Sequence, residues 1–322
     1  MAVFLTGVAG FIGAHTASKL LARGEEVIGL DNLNSYYDPA LKHARMEALV
    51  EHPHFRFVEA DLSDHDAMEA LRRETHVDRI VHLAAQAGVR YSIENPRSYA
   101  DSNLVGHTEV MELTRNLGVK HMVYASSSSV YGGNETVPFK ETDLTDDPVS
   151  FYAATKKACE ALSASYANLY ALPQTGLRFF TVYGPWGRPD MAYMIFTKKM
   201  LAGEAINVFN NGDMGRDFTF VDDIVDGVIA ALDNPPSTDQ RTPHRVYNLG
   251  NDQPERLGDL IGYLEKHLSI TAEKNMLPMQ PGDVRETWAD ITRARAELGY
   301  APKVGLEEGL ERFVRWYKEY YV

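Results

Sequence analysis

The 322-residue sequence contains a single cysteine, Cys159. One thiol excludes an internal disulfide and any cysteine-rich metal site. A buried cysteine ordinarily serves as a small hydrophobic side chain. We therefore expect Cys159 to lie in the core, and no metal site is predicted.

Long apolar runs are also absent. No stretch reaches the roughly 18 apolar residues that a membrane-spanning helix needs. The apolar start, residues 1–5, carries no positive charge and runs directly into a glycine motif, so it predicts a first strand and not a signal peptide. We expect a soluble, cytoplasmic protein with no membrane partner.

Basic residues are outnumbered: 32 Lys and Arg face 45 Asp and Glu, which gives a net charge of −13. Surfaces that bind nucleic acid are usually basic, so this balance argues against a nucleic-acid partner. A small anionic ligand is still compatible with it, because a few converging arginines can bind one whatever the overall charge.

Short β-rich runs alternate with longer helical patterns over the first 180 residues. This order is typical of βαβ units and predicts an α/β fold with a doubly wound parallel sheet. We assign residues 1–180 to this Rossmann domain, rejoined by about 217–249, and residues 181–322 mainly to a smaller C-terminal substrate-binding lobe. The expected strands span residues 3–5, 27–30, 55–60, 80–83, 122–125, 177–180 and 246–249.

A glycine motif follows the first strand and opens a helix. Gly7, Gly10 and Gly13 would permit a tight turn and let the backbone approach a pyrophosphate at the positive end of that helix. A second strand ends in Asp31, close to the spacing expected for the acid that binds a ribose. A carboxylate there accepts hydrogen bonds from a free 2′-hydroxyl and repels a 2′-phosphate. The pattern predicts NAD rather than NADP.

Two other strand ends bear on the same site. Asp61, after the third strand, would lie near the adenine, but it could equally cap a helix over residues 63–74. The fourth strand ends in His82 and three small or apolar residues, Leu83, Ala84 and Ala85, which would let a cofactor lie close. We interpret His82 itself as a packed strand residue and not as a catalyst.

A candidate catalytic set follows the fifth strand, which leads into four serines at 126–129. Downstream, Tyr152 and Lys156 are four residues apart and would share one face of a helix. A phenol is a poor base at neutral pH, and a neighbouring ammonium group favours its deprotonated form. A serine on the other side could hold a sugar hydroxyl as it loses its proton.

With these motifs, nearly the whole chain resembles the extended short-chain dehydrogenase/reductases that act on nucleotide sugars. The resemblance implies that Ser127 is the catalytic serine and that Lys156 binds the nicotinamide ribose of NAD. The cofactor-binding residues expected on this basis are Gly7, Gly10, Phe11, Ile12, Gly13, Asp31, Asn32, Lys42, Asp61, Leu62, Leu83, Ala84, Ala85, Tyr152 and Lys156.

Three longer segments, 31–42, 84–96 and 178–192, are similar to the UDP-glucuronate 4-epimerases within that family. This resemblance implies that Thr181 and Arg188 contact the sugar carboxylate. An arginine suits that role because its planar fork can bind two carboxylate oxygens at once, although an exposed loop arginine would look the same in sequence.

Further substrate contacts are implied by the segment 208–218. Its arginine, Arg216, is expected at the diphosphate, and Val208 with Phe209 could sandwich a uracil. Arg285 stands where we would expect a proline or small residue, and it either binds phosphate or is merely exposed. Arg90, Ser127 and Ser128 complete the expected substrate set.

The implied reaction is reversible inversion at C4, from UDP-glucuronate to UDP-galacturonate, through a 4-keto sugar with NAD kept bound. The alternatives are decarboxylation to UDP-xylose, epimerisation of a neutral UDP-hexose, and a catalytically silent NAD-binding sensor. We also expect a homodimer, because helical stretches at 96–117 and 152–169 carry apolar residues beyond what one sheet face needs: Leu104, Val105, Met111, Leu162 and Tyr166.

Overall fold

A computed structural model describes residues 2–279 and 285–322. Its strands are β1 (Ala2–Thr6), β2 (Glu26–Asp31), β3 (Phe55–Glu59), β4 (Arg79–His82), β5 (His121–Ser127), β6 (Gln174–Phe179), β7 (Thr181–Tyr183), β8 (Ile206–Val208), β9 (Gly215–Phe220), β10 (His244–Leu249), β11 (Pro254–Arg256), β12 (Lys274–Met276) and β13 (Glu286–Thr287). Its helices are α1 (Phe11–Ala22), α2 (Pro39–Val50), α3 (His65–Glu74), α4 (Tyr91–Glu94), α5 (Pro96–Tyr99), α6 (Gly106–Leu117), α7 (Phe151–Tyr170), α8 (Ala192–Leu201), α9 (Val221–Asp233), α10 (Leu257–Leu268), α11 (Thr292–Leu298) and α12 (Leu306–Tyr321).

The main sheet has seven parallel strands in the order β10-β6-β5-β4-β1-β2-β3. This confirms the expected doubly wound α/β fold. The chain reverses its direction of winding between β1 and β4, so the loops that follow these two strands diverge and leave a crevice. In open α/β sheets that crevice is where ligands bind.

Apolar residues alternate along the strands because successive side chains point to opposite faces. Val3 and Leu5 of β1 belong to a core with α1, α2 and α9, whereas Phe4 belongs to a second core with α3 and α6. Both faces of the sheet are therefore covered. No helix among the described residues is long and apolar enough to cross a membrane.

The helical stretch at 96–117 is continuous but not uniform. Its middle, Ala100–Val105, is a π-helix between α5 and α6. Of the apolar residues expected on the outside, Val105 is exposed, but Met111 is fully buried in the second core. The expectation that Met111 is surplus to the sheet is thus wrong, because it packs between α6 and the strands.

Apart from β10, the strands after β6 belong to a smaller lobe. Its sheet joins β11, β9 and β13, with β7 paired to β9, and a separate pair joins β8 and β12. The buried carboxylate of Asp217 on β9 ties this lobe together, because it accepts hydrogen bonds from the backbone N–H groups of Asn251 and Ala289.

Candidate active site

A cleft opens at the carboxyl ends of β1, β2, β4, β5 and β6. Every residue expected at the cofactor lines it: Gly7, Gly10, Phe11, Ile12, Gly13, Asp31, Asn32, Lys42, Asp61, Leu62, Leu83, Ala84, Ala85, Tyr152 and Lys156. The structure therefore brings together side chains that are up to 149 residues apart in the sequence. Their contact with a cofactor stays a prediction.

The turn between β1 and α1 depends on its glycines. Gly7 has a φ of +74°, and a Cβ atom there would lie 2.7 Å from the backbone nitrogen of Ala84. A Cβ atom on Gly13 would overlap the carbonyl oxygen of Gly7. Among the residues that the structure describes, no side chain caps the start of α1 at Gly10, and the first turn of α1 carries no acid. The positive end of this helix is thus left for an anionic ligand.

Asp31 ends β2 as a buried carboxylate at the edge of the cleft. It accepts hydrogen bonds from the backbone N–H groups of Ala9 (3.2 Å) and Leu33 (2.9 Å). Lys42 lies 3.8 Å from it and donates to the side chain of Asn34 at 3.0 Å. Burial lowers the pKa of Lys42, and the neighbouring Asp31 opposes that shift. Asp31 is therefore held in place with capacity left on its oxygens to accept further hydrogen bonds.

Asp61 also faces this cleft, and it does not cap α3. That cap is Asp64, which accepts a hydrogen bond from the backbone of Ala67. Asp61 instead accepts from both the backbone and the hydroxyl of Ser63 and, at 2.7 Å, from the side chain of Asn32. Burial opposes ionisation of Asp61, but these hydrogen bonds outweigh it and lower its pKa. Of the two interpretations of this residue, the capping one is wrong.

The catalytic candidates meet where β5 and α7 border the cleft. Tyr152 lies on the first turn of α7, and Lys156 follows one turn later, where its Nζ donates to the carbonyl oxygen of Ala125 at 2.9 Å. Ser127 ends β5, and its hydroxyl lies 2.8 Å from that of Ser129. The three side chains thus come from two elements, and all three line the cleft.

A residue that the sequence analysis missed supports this arrangement. Asn103, inside the π-helix, exchanges two hydrogen bonds with the backbone of Gln86 and donates to the hydroxyl of Thr155 at 3.0 Å. Thr155 precedes Lys156 on α7, so Asn103 connects the loop after β4 to α7. π-Helical turns often occur at functional sites, but nothing in the local sequence distinguishes this asparagine from others.

A second cavity adjoins the end of β5 on the side of the small lobe. It contains three of the expected substrate residues, Ser128, Thr181 and Arg216. Hydroxyl groups dominate its polar wall, and Arg216 brings a cationic side chain to it. The other residues that line it are Val89, Ser129, Tyr131, Gly132, Phe139, Val149, Ser150 and Thr287. Since Ser127 lines the first cleft and Ser128 the second cavity, the two spaces border the same turn.

Arg188 lines the first cleft, close to Tyr152, and already has a carboxylate partner. Its Nε and Nη2 atoms donate to Asp190 at 3.0 and 2.6 Å, which is a two-point ion pair. Burial opposes the charge of Arg188, but Asp190 outweighs it and raises the pKa of the guanidinium group. The remaining nitrogen, Nη1, has no hydrogen-bond partner within residues 2–279 and 285–322.

Comparison with known proteins identifies the relatives of this architecture. The family model for GDP-mannose 4,6 dehydratase matches residues 4–313. The chain belongs to this family. Its members include extended short-chain dehydrogenase/reductases of the same Rossmann-like fold, which confirms the resemblance drawn from the motifs.

Several relatives are epimerases. UDP-glucuronate 4-epimerase 4 of Arabidopsis thaliana is 50% identical over 331 residues, which cover 99% of this chain and 76% of the relative. The structure of UDP-glucuronic acid 4-epimerase from Bacillus cereus, in complex with UDP-glucuronic acid and NAD, superposes with a TM-score of 0.91 at 34% identity and full coverage of both chains. The UDP-glucose 4-epimerase of Thermotoga maritima, with UDP-glucose, gives 0.89 at 32% identity and 99% coverage of both.

Four other residues expected at the substrate line neither the first cleft nor the second cavity: Arg90, Val208, Phe209 and Arg285. Val208 is buried in the core of the lobe, so the geometry does not support it as a uracil contact. Arg90 lies over the ring of Phe209 at 5.4 Å. Arg285 is exposed and forms an ion pair with Asp213 at 2.9 Å.

His82 is a packed residue at the end of β4, as the sequence predicted. It is buried, and its Nδ1 lies 2.7 Å from the hydroxyl of Thr6. Burial holds its pKa well below the ordinary value, so the ring is neutral. His82 is thus a packed strand residue whose ring has a hydrogen-bond partner.

Proposed function

We propose that this protein is an NAD-dependent UDP-glucuronate 4-epimerase, an isomerase that interconverts UDP-glucuronate and UDP-galacturonate. The observation that carries the proposal is that Ser127, Tyr152 and Lys156 line one cleft, while Ser128, next to Ser127, lines the hydroxyl-rich second cavity. Relatives at about half identity over nearly the whole chain carry the same activity in their names.

The cleft fits NAD by its donors and acceptors. The uncapped start of α1 suits a pyrophosphate, and the carboxylate of Asp31 suits a ribose with a free 2′-hydroxyl. When bound, NAD supplies the hydride acceptor and donor for C4 of the sugar. Lys156 would bind the nicotinamide ribose, since its ammonium group lies at the cleft wall, where it donates to the carbonyl oxygen of Ala125.

Tyr152 is the group that we assign to proton transfer at O4. Its phenolate accepts the O4 proton as C4 is oxidised, and returns a proton when the 4-keto sugar is reduced on its other face. Lys156 follows Tyr152 by one turn of α7, and its ammonium group lies at the wall of the same cleft. Ser127 holds the O4 atom by a hydrogen bond, so the proton moves over a short distance.

The sugar carboxylate needs restraint, because a 4-keto-6-carboxylate is a β-keto acid and loses CO2 readily. Fixed hydrogen bonds that keep the carboxylate away from the cleavage geometry would prevent this loss. We assign that role to Thr181 and to the Nη1 edge of Arg188, whose other edge is held by Asp190. Asp190 then orients the arginine instead of competing with the sugar.

Two alternatives use the same catalytic residues. The first, decarboxylation to UDP-xylose, would follow if the carboxylate were free to rotate. The second is epimerisation of a neutral UDP-hexose, because the fold is also close to that of an enzyme solved with UDP-glucose. The test is incubation of the purified protein with UDP-glucuronate and, separately, UDP-glucose. We expect UDP-galacturonate of unchanged mass from the first. A product lighter by CO2, or conversion of UDP-glucose alone, would overturn the proposal.

We further propose that the protein acts as a homodimer in the cytoplasm. The helices over residues 96–117 and α7 lie side by side on one face of the sheet. They leave Val105, Leu169 and Tyr170 exposed, while Leu104, Leu162 and Tyr166 are half-buried. Exposed apolar residues on two adjacent helices suit a helix-to-helix contact with a second copy.

A further inference from the structure

Three loops meet above the cofactor cleft at one polar contact. Tyr36, from the loop after β2, donates its hydroxyl hydrogen to Asp190 at 3.2 Å, and Asp190 lies in the loop after β7. Gly88, from the loop after β4, fits beneath them, since a Cβ atom there would lie 3.2 Å from the Tyr36 hydroxyl and 3.6 Å from Arg188. Its φ of +107° suits glycine.

We propose that Tyr36 and Asp190 are positioning residues that close the cleft over NAD and slow its exchange. Tyr36 and Arg188 line the cleft. Asp190 does not line it, but its carboxylate accepts hydrogen bonds from both of these residues. The contact therefore bridges two walls that a bound dinucleotide would have to separate in order to leave. This inference rests on the proposed binding of NAD, and not on the identity of the sugar.

The bases of the loops are fixed by another residue. Arg45 of α2 is buried and donates to the backbone carbonyls of Trp186 and Gly187, and also to that of Ala9 in the glycine turn. These bonds fasten the loop after β7 to the cofactor domain. The contact between Tyr36 and Asp190 is, by contrast, a single hydrogen bond between half-exposed groups, so it can open while the bases stay in place.

The charge states of the pair keep this hydrogen bond intact. Burial, together with the neighbouring Asp190, raises the pKa of Tyr36 to about 12, so its hydroxyl stays a donor. Burial opposes ionisation of Asp190, but Arg188 outweighs it and lowers the pKa of the carboxyl, so Asp190 stays an acceptor. A hydrogen bond from a neutral donor to a charged acceptor is stronger than one between two neutral groups.

A closed cleft serves the proposed reaction directly. Between the two hydride transfers the sugar is a 4-keto compound, and the electrons it has lost reside on the cofactor. Departure of the cofactor at that stage would leave the enzyme unable to finish the cycle. A contact that slows cofactor exchange therefore matters more to an epimerase than to a dehydrogenase that releases its cofactor every turn.

The test measures cofactor exchange without any sugar. Protein loaded with NADH is mixed with excess NAD, and the loss of bound NADH fluorescence gives the exchange rate. Tyr36→Phe keeps the ring that packs against Tyr91 at 4.8 Å and removes only the hydroxyl. We expect exchange to be roughly 10- to 150-fold faster, as the loss of one charge-assisted hydrogen bond predicts. Asp190→Asn should act in the same direction.

Two controls separate this role from a general loosening. Tyr91→Phe removes a neighbouring hydroxyl that pairs with Asn95 and should leave exchange within about twofold of the parent. The double variant Tyr36→Phe/Asp190→Asn should speed exchange by less than the product of the two single effects, since both substitutions act on one contact.

Exchange by Tyr36→Phe at the parental rate would overturn the proposal, as would failure of the parent protein to bind NADH. A variant that exchanged fast only because it had partly unfolded would show a lowered melting temperature in its circular dichroism. Because only nicotinamide nucleotides are used, an inactive sugar assay leaves this result untouched. The two proposals can therefore fail separately.

Discussion

Glu160 and Arg178 form a buried two-point ion pair one helical turn after Lys156 on α7. Both oxygens of Glu160 accept from Arg178, each at 2.8 Å, and Ser126 donates its hydroxyl hydrogen to the same carboxylate at 2.6 Å. Burial opposes ionisation of Glu160, but Arg178 outweighs it and lowers the pKa of the carboxyl. Glu160 follows Lys156 by one helical turn, so the pair joins α7 to β5 and β6.

Removal of that carboxylate should destabilise the fold. Glu160→Ala leaves the guanidinium group of Arg178 buried without its partner, which typically costs about 3–5 kcal/mol in the free energy of unfolding. Urea denaturation followed by circular dichroism measures the loss. Glu311→Ala, which breaks an exposed pair with Arg315 on α12, is the control and should have little effect. Equal losses in the two variants would contradict this account.

Asp31 should set the choice of cofactor. The wild-type protein is expected to bind NAD roughly 100-fold or more tightly than NADP, because like charges brought together cost several kcal/mol. Asp31→Asn should narrow that ratio mainly by improving NADP binding. Calorimetric titration of cofactor-free protein gives both constants, and equal wild-type affinities would refute the assignment.

Tyr152→Phe should abolish most of the catalysis. Loss of a general acid–base group lowers turnover by about 100- to 10,000-fold. The substitution removes one oxygen from a half-exposed ring at the start of α7, so the fold should be unaffected. Tyr170→Phe, at the exposed end of the same helix, is the matched control. Comparable turnover in the two variants would exclude Tyr152 from proton transfer.

Arg188→Ala should weaken UDP-glucuronate binding or turnover by roughly 30- to 1000-fold, as expected for truncation of one partner in a charge-assisted pair. A neutral UDP-hexose should lose much less. The variant should also release more CO2, because a loosely held β-keto acid can rotate into the cleavage geometry.

Asp190→Asn provides the comparison for that variant. Asp190→Asn acts directly on the contact with Tyr36 and should speed cofactor exchange, whereas Arg188→Ala removes the guanidinium group. A selective loss with acidic sugars in both variants alike would show that orientation by Asp190, and not the charge of Arg188 alone, controls the acid. Unchanged kinetics in Arg188→Ala would show that another residue contacts the sugar carboxylate. Arg90 and Arg285 would then be the next candidates.

Dimerisation is checked by light scattering at micromolar concentration, where we expect twice the chain mass of 36.0 kDa. Val105→Glu places a charge at the proposed contact and should shift the protein toward monomer. Val50→Glu, on the equally exposed α2, should leave the mass unchanged. A monomeric wild-type protein would contradict the prediction.

Local patterns in the sequence predicted most of the fold and the cofactor cleft. Gly7, Gly10 and Gly13 lie within one turn, and Tyr152 and Lys156 lie on one helix face, so spacing alone relates them. Contacts between distant segments were out of reach: Tyr36 and Asp190 are 154 residues apart. No periodicity connects such positions, because loop geometry decides whether they meet.

Errors arose where two residues competed for one role or where a face was misjudged. Asp61 and Asp64 both precede α3, and only the backbone geometry shows which of them caps it. Met111 of α6 follows the exposed Val105 by six residues, so the two side chains point to different faces of the helical stretch. The apolar character of the two residues does not show which of these faces is turned toward the strands.

The late return of β10 to the sheet has a consequence for synthesis in the cell. Residues 244–249 pair with β6 along its whole length, and α9 packs against β6. A ribosome therefore exposes about three-quarters of the chain before β6 gains its outer neighbour. Until then an apolar strand edge is open to pairing with other nascent chains. Expression of the first 180 residues alone would leave that edge open permanently, so aggregation, and not a smaller cofactor-binding protein, is the outcome to expect.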